Sequence, residues 1–219
     1  MKKLLVFALV FAALCGSATA ETAWHYFAAR FYGGVVENGG MIDSKPGYRE
    51  LDMGSEAVYG LAFDMFMTED FGLKFGLSQF ANSASQLPSD PEYSGDRMDI
   101  DLEVTTLSVT GKRRFNCWDG LLAPWVGVGV DWSVIENDER EYLTTDSGLY
   151  KEDENTKVSN GLGAHLAAGL DLYPVKMSSL ALMLETRYTA YSSSGPFEGD
   201  LNGALFLIGL KWDFGQRAF

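Results

Sequence analysis

Large apolar residues recur at every second position along most of the chain. Between 57 and 67, Ala57, Tyr59, Leu61, Phe63, Met65 and Met67 alternate with positions that include Gly60, Ala62 and Asp64. Phe71, Leu73, Phe75 and Leu77 alternate with Gly72, Lys74, Gly76 and Ser78. The same pattern sets Val126, Val128, Val130, Trp132 and Val134 against Gly127, Gly129, Asp131 and Ser133. It sets Leu162, Ala164, Leu166, Ala168, Leu170 and Leu172 against Gly161, Gly163, His165, Gly169 and Asp171. Leu180, Leu182, Leu184, Thr186 and Tyr188 oppose Glu185 and Arg187, and Ala204, Phe206, Ile208, Leu210, Trp212 and Phe214 oppose Lys211 and Asp213. A period of two is the signature of a strand with two unlike faces and fits a helix poorly.

Two further stretches are less regular. The first strand reads with Phe27, Ala29, Phe31, Gly33 and Val35 on its apolar face and Arg30 opposite. In the fourth, Ile100, Leu102 and Val104 have one parity and Leu107 and Val109 the other. A β-bulge near Thr105–Thr106 is expected to restore a single face. Eight strands are thus expected, at about 23–36, 56–68, 71–84, 99–115, 123–135, 160–173, 179–192 and 203–214. Short connections rich in Asp, Asn, Gly and Pro alternate with long polar ones at 37–55, 85–98, 136–159 and 193–202. That alternation puts the long loops at one end and both termini at the other.

An up-and-down barrel of eight strands exists in two versions. A lipocalin-like soluble barrel turns its apolar face inward around a ligand, and a transmembrane barrel turns it outward into lipid. Here the minority face carries Arg30, Asp64, Lys74, Asp131, His165, Asp171, Glu185, Arg187, Lys211 and Asp213, separated by Gly, Ala and Ser. Small residues between opposite charges suit a narrow, crowded interior rather than a solvated exterior. The majority face is nearly free of charge over about ten residues per strand, enough to cross a bilayer at a tilt. Tyr59, Trp132, Tyr188, Trp212 and Phe214 stand at strand ends, where an interfacial belt needs aromatics; Trp125 has the parity of the lumen. The expected fold class is an all-β, eight-stranded antiparallel transmembrane barrel.

The N-terminus adds a location. Lys2 and Lys3, a short apolar run and Ala18-x-Ala20 read as a secretory signal over residues 1–20, cleaved before Glu21. Removing it leaves 15 basic against 30 acidic residues, a balance that excludes nucleic acid as a partner. Cys15 leaves with the signal, so Cys117 has no intrachain disulfide partner. The expected organisation is one barrel domain over 21–219, with a short tail at 215–219.

A secretory signal, eight alternating strands, and a final strand ending apolar-x-Trp212-x-Phe214 resemble the small outer-membrane β-barrel proteins of Gram-negative bacteria, the OmpX, OmpW and OmpA-barrel kind. Gly169, Asp171, Leu184, Glu185, Arg187 and Tyr188 are similar to the penultimate hairpin of that superfamily. The resemblance covers 21–219 and implies short periplasmic turns, long extracellular loops and location in the bacterial outer membrane. Leu210, Trp212, Phe214 and Phe219 then correspond to a C-terminal signal read by the barrel-assembly machinery. Phe214 has the parity of the lipid face and is expected to close the sheet, with Phe219 beyond it. The implied partners are outer-membrane lipid and lipopolysaccharide, and the implied state is a monomer.

The candidate chemistry is concentrated in the lumen. Arg30, Lys74, Arg187 and Lys211 are expected to pair with Asp64, Asp131, Glu185 and Asp171 as a plug, with a narrow gated path for ions or small solutes as the alternative. His165 is expected to bond a neighbour such as Asp171 or Glu185. Outer-membrane lipid-modifying enzymes pair a His with a Ser two residues away, and neither His165 nor His25 has that serine. The chain is therefore expected not to be an enzyme. No Cys/His cluster has metal-ligand spacing and no cofactor is expected. Gly161-Leu162-Gly163 lacks the rest of a phosphate-loop fingerprint. Acidic runs at Asp90, Glu92, Asp96, Asp99, Asp101 and Glu103, and at Glu136, Asp138, Glu139, Glu141, Glu152, Asp153 and Glu154, read as solvated extracellular loops. Tyr93, Tyr142 and Tyr150 offer these loops contacts to an extracellular ligand, and divalent cations are a second use of the acids. Cys117 is expected to be a shielded small hydrophobe.

Overall fold

The computed structural model describes residues 26–38, 41–42, 51–52, 55–86, 97–115, 117–145, 148–176, 178–194 and 202–214. The expected signal at 1–20, His25, the tail with Phe219, and Asp90, Glu92, Tyr93 and Asp96 lie outside these residues.

Eight long strands close into an antiparallel barrel: β1 (Tyr26–Asn38), β4 (Ser55–Phe66), β5 (Phe71–Gln86), β6 (Arg97–Arg114), β7 (Leu122–Thr145), β8 (Gly148–Leu172), β9 (Leu180–Ser194) and β10 (Gly203–Phe214). Each pairs with its chain neighbour, and β1 pairs with β10 from Phe27↔Phe214 to Asn38↔Gly203. Closure matters because an open strand edge would leave unpaired N–H and C=O groups. The β1–β4 connection carries one small addition, the two-residue strands β2 (Met41–Ile42) and β3 (Leu51–Asp52).

The barrel is apolar outside, and its buried charges are all inside. Phe31, Val126, Val128, Val130, Leu162, Leu166, Leu184, Ile208 and Trp212 are all exposed on its outer face. Arg30, Asp64, Lys74, Asp171 and Lys211 are fully or almost fully buried on its inner face. Among the described residues no helix is long and apolar enough to cross a membrane; the lipid-compatible surface is made by strands.

The expected bulge near Thr105–Thr106 does not form. β6 pairs without a register break on both sides, and its burial alternates from Met98 to Arg114. Ile100, Leu102 and Val104 therefore point inward, on the same face as Thr106, Ser108 and Thr110. The parity change in the sequence marks a change of interior: apolar near the long-loop end, polar below it. The irregularity in this sheet lies instead between Glu141 and Tyr142.

The long connection expected at 136–159 is mostly strand. β7 and β8 continue past the apolar belt and pair as far as Thr145↔Gly148. Their charged side chains concealed this, because polar strands above a membrane carry no alternating apolar signal. At the opposite end, Cys117 is exposed rather than shielded. It precedes a one-turn 3-10 helix, Trp118–Gly120, and its backbone bridges to Leu122. The turn is made by the backbone, so the thiol stands outside it. Trp118 has a φ of 50° and Gly120 one of 80°, the left-handed geometry that reverses the chain here.

Candidate functional site

All nine residues of the expected lumen network point inward, and the structure joins them into two connected groups. In the first, Arg30 donates from Nε to Asp64 at 2.7 Å and from Nη1 and Nη2 to both oxygens of Asp171, at 3.1 and 3.0 Å. Lys112 reaches the same Asp64 oxygen at 2.6 Å. Lys211 donates to Asp171 at 2.9 Å and to the Tyr173 hydroxyl at 2.7 Å, and Tyr173 donates to Asp213 at 3.0 Å. This group lies toward the short-turn mouth.

The second group lies one layer further in. Glu185 accepts from Lys74 at 2.5 Å and from Arg187 at 3.1 Å. Arg187 also stands 3.7 Å from Asp131. Asp131 holds His165 Nδ1 at 2.9 Å, and His165 Nε2 lies 2.9 Å from the Thr110 hydroxyl. The histidine's partners are thus Asp131 and Thr110, not Asp171 or Glu185. Asp171 is six residues along the same strand, about 20 Å away at the rise of a strand, whereas Asp131 is on the neighbouring β7.

Cross-strand register explains how a narrow interior holds so many long side chains. Thr110 pairs with Gly129, and Gly129 with His165, so the imidazole lies over a residue without a side chain. A Cβ at Gly129 would come within 2.6 Å of that ring. Trp125 pairs with Gly169 in the same way, and a Cβ there would meet the indole at 2.5 Å. The Trp125 ring is in turn faced by Lys74, Lys112 and Arg30, at 4.8, 5.1 and 5.6 Å from its centroid. Such contacts offset part of the desolvation of cations held in a dry interior.

Sequence reasoning missed three members of this interior. Thr110 and Lys112 have the parity opposite to Leu107 and Val109, that of the lumen with or without the expected bulge, but were not counted in the network. Arg114, at the strand end, donates to the Tyr26 hydroxyl and to the Glu69 carbonyl. Unbroken alternation through β6 is the signal that finds all three.

Above the apolar belt the outer face is charged. Arg140 pairs with Asp101 and lies 3.7 Å from Glu154, and the Asp101 carboxylate raises the Arg140 pKa above its ordinary value. Glu103 stands directly across from Glu136, and Asp101 from Asp138. Among the described residues no group of His, Cys, Asp or Glu is arranged to hold a metal ion.

No protein-family model and no curated protein matches the sequence. Solved structures do match. The outer membrane protein OprG from Pseudomonas aeruginosa superposes with a TM-score of 0.59 at 15% identity, over 88% of this chain and 97% of that one. Two others give lower scores. The N-terminal β-barrel domain of OprF from Pseudomonas aeruginosa has 13% identity, 88% and 100% coverage and a TM-score of 0.46. Neisserial surface protein A has 12% identity, 89% and 100% coverage and a TM-score of 0.49. At these identities the likeness is one of fold. The chain has the fold of the small outer-membrane β-barrels, eight antiparallel strands closed into a barrel with a lipid-compatible outside and an ion-paired inside.

Proposed function

We propose that the protein resides in the outer membrane of a Gram-negative bacterium as a non-conducting, non-enzymatic barrel, and that its role is structural or is exerted at its extracellular surface. The observation that carries this reading is the pair Lys74–Glu185, which closes at 2.5 Å across the lumen. Side chains joined across the bore leave little room for a water-filled path, as is usual for eight strands. The apolar belt then meets lipid. The Asp101–Arg140–Glu154 surface stands at the level of lipopolysaccharide head groups and is available to an extracellular ligand. Residues 1–20 direct secretion, and the β10 segment ending in Phe214 is presented to the assembly machinery. The folded state is a monomer.

The Thr110–His165–Asp131 arrangement has the bonding order of a hydrolytic triad. Thr110 is 0% exposed and His165 2%. A nucleophile that no substrate reaches supports a packing role, and a fold by itself does not assign an activity. A second reading is a narrow gated path. The sharing of Glu185 between Lys74 and Arg187 favours it, because an acid with two cationic partners can trade one for the other. Planar-bilayer recording separates the two: the plug reading predicts silence, and steady single-channel steps would replace it with the gated path.

A further inference from the structure

Ser78, Thr106, Arg187, Thr189 and Tyr191 line a small cavity inside the barrel, of about 20 Å³. The register shows why room is left there. Ser78 and Thr106 are cross-strand partners on β5 and β6. Arg187 and Thr189 stand on β9, on the wall opposite β5, and Thr189 pairs with Gly203. Short hydroxyl side chains, with a glycine beside one of them, meet across the bore where longer ones would fill it.

The polar groups around this space are not all paired. Ser78, Thr106, Arg187 and Thr189 are each at least nine-tenths buried. Arg187 donates from Nη2 to Glu185 at 3.1 Å, and its Nη1 lies 3.7 Å from Asp131. Its Nε has no hydrogen-bond partner among the described residues. A charged donor left unmade in a dry interior costs more than a neutral one. Thr106 bonds Ser133 at 2.8 Å, yet a hydroxyl oxygen has two lone pairs and keeps capacity for a further donor.

We propose that one water molecule is bound in this cavity as a fixed part of the lumen, accepting from Arg187 Nε and donating to the facing hydroxyls. A cavity of this size holds about one water, and a buried water needs two to four polar partners. The wall supplies one donor and several acceptors. The surrounding charge argues for a neutral occupant. Lys74 and Arg187 already match Glu185 and Asp131, so an ion added here would be buried without a partner. The water completes the setting of Arg187, beside Glu185 and Asp131, and joins β9 to the opposite wall. It also gives the hydroxyls of Ser78, Thr106 and Thr189 a role beyond filling space. The inference does not depend on whether the lumen conducts.

A high-resolution crystal structure of the barrel refolded in detergent tests it. A single ordered density peak should lie in the cavity, at roughly 2.7 to 3.2 Å from Arg187 Nε. Two variants fix its place. Ser78→Ala keeps the room and should keep the peak. Ser78→Val fills the room and should lose it. Featureless density in the wild-type cavity, or Arg187 Nε bonded to a protein group instead, would overturn the proposal. So would a peak that persists in Ser78→Val, because the water would then sit elsewhere. The wild-type density decides alone if Ser78→Val does not fold.

Discussion

Lys74 on β5 meets Glu185 on β9 at 2.5 Å, although the two strands are four steps apart around a ring of eight. They stand on opposite walls. The lysine stem spans the bore, and the contact ties the two halves of the barrel together through its middle. The same pair thus contributes to the stability of the barrel and occupies part of its bore.

Lys74→Met keeps most of the stem and removes the charge. It leaves Glu185 buried with Arg187 alone and should cost about 3–5 kcal/mol. Adding Glu185→Gln removes the stranded charge and should recover part of that loss. Urea titration of the folded fraction in lipid vesicles measures both. A double variant no more stable than the single one would show that the pair is not coupled.

Val128 is 61% exposed within the apolar stretch of β7, between Val126 and Val130. Val128→Arg should destabilise the barrel by about 2–4 kcal/mol if that face meets the bilayer core. The same titration applies, and a neutral result would mean that the outer face is not in lipid.

Gly169→Ala places a methyl group against the Trp125 indole, the nearest neighbour to such a Cβ. The expected effect is a loss of about 1–3 kcal/mol with a change in near-ultraviolet circular dichroism as the ring moves. An unchanged aromatic spectrum would place Trp125 elsewhere.

If Thr110, His165 and Asp131 only pack, expressing the protein leaves the mass spectrum of lipid A as it was, and His165→Gln lowers stability alone. A new lipid A species that vanishes in His165→Gln would make the trio catalytic.

The barrel was legible in the sequence wherever a strand crosses the apolar belt, because there the two faces meet different solvents. In β10, Ile208, Leu210 and Trp212 alternate with Lys211 and Asp213, and both faces read correctly. Above the belt the rule weakens. Ile100, Leu102 and Val104 are apolar and point inward, while Asp101 and Glu103 on the other face meet water. The apolar parity thus swaps faces without any bulge. The charged pairs were readable as residue types but not as partners. Which acid receives His165 depends on the β7–β8 register, and that follows from closure of the whole sheet rather than from local pattern. Phe214 is where β10 ends, paired with Phe27 and stacked on Trp212 at 5.6 Å. Deleting 215–219 should leave membrane insertion intact, and its complete loss would move the assembly signal to Phe219.

The central claim is that this barrel is inside out, with lipid as the solvent of its apolar face. Refolding from urea in buffer, and separately with phospholipid vesicles, tests it most directly, with heat-modifiable gel migration as the readout. Folded, heat-modifiable protein should form only with lipid or detergent. A folded, monodisperse barrel recovered from buffer alone would contradict the account.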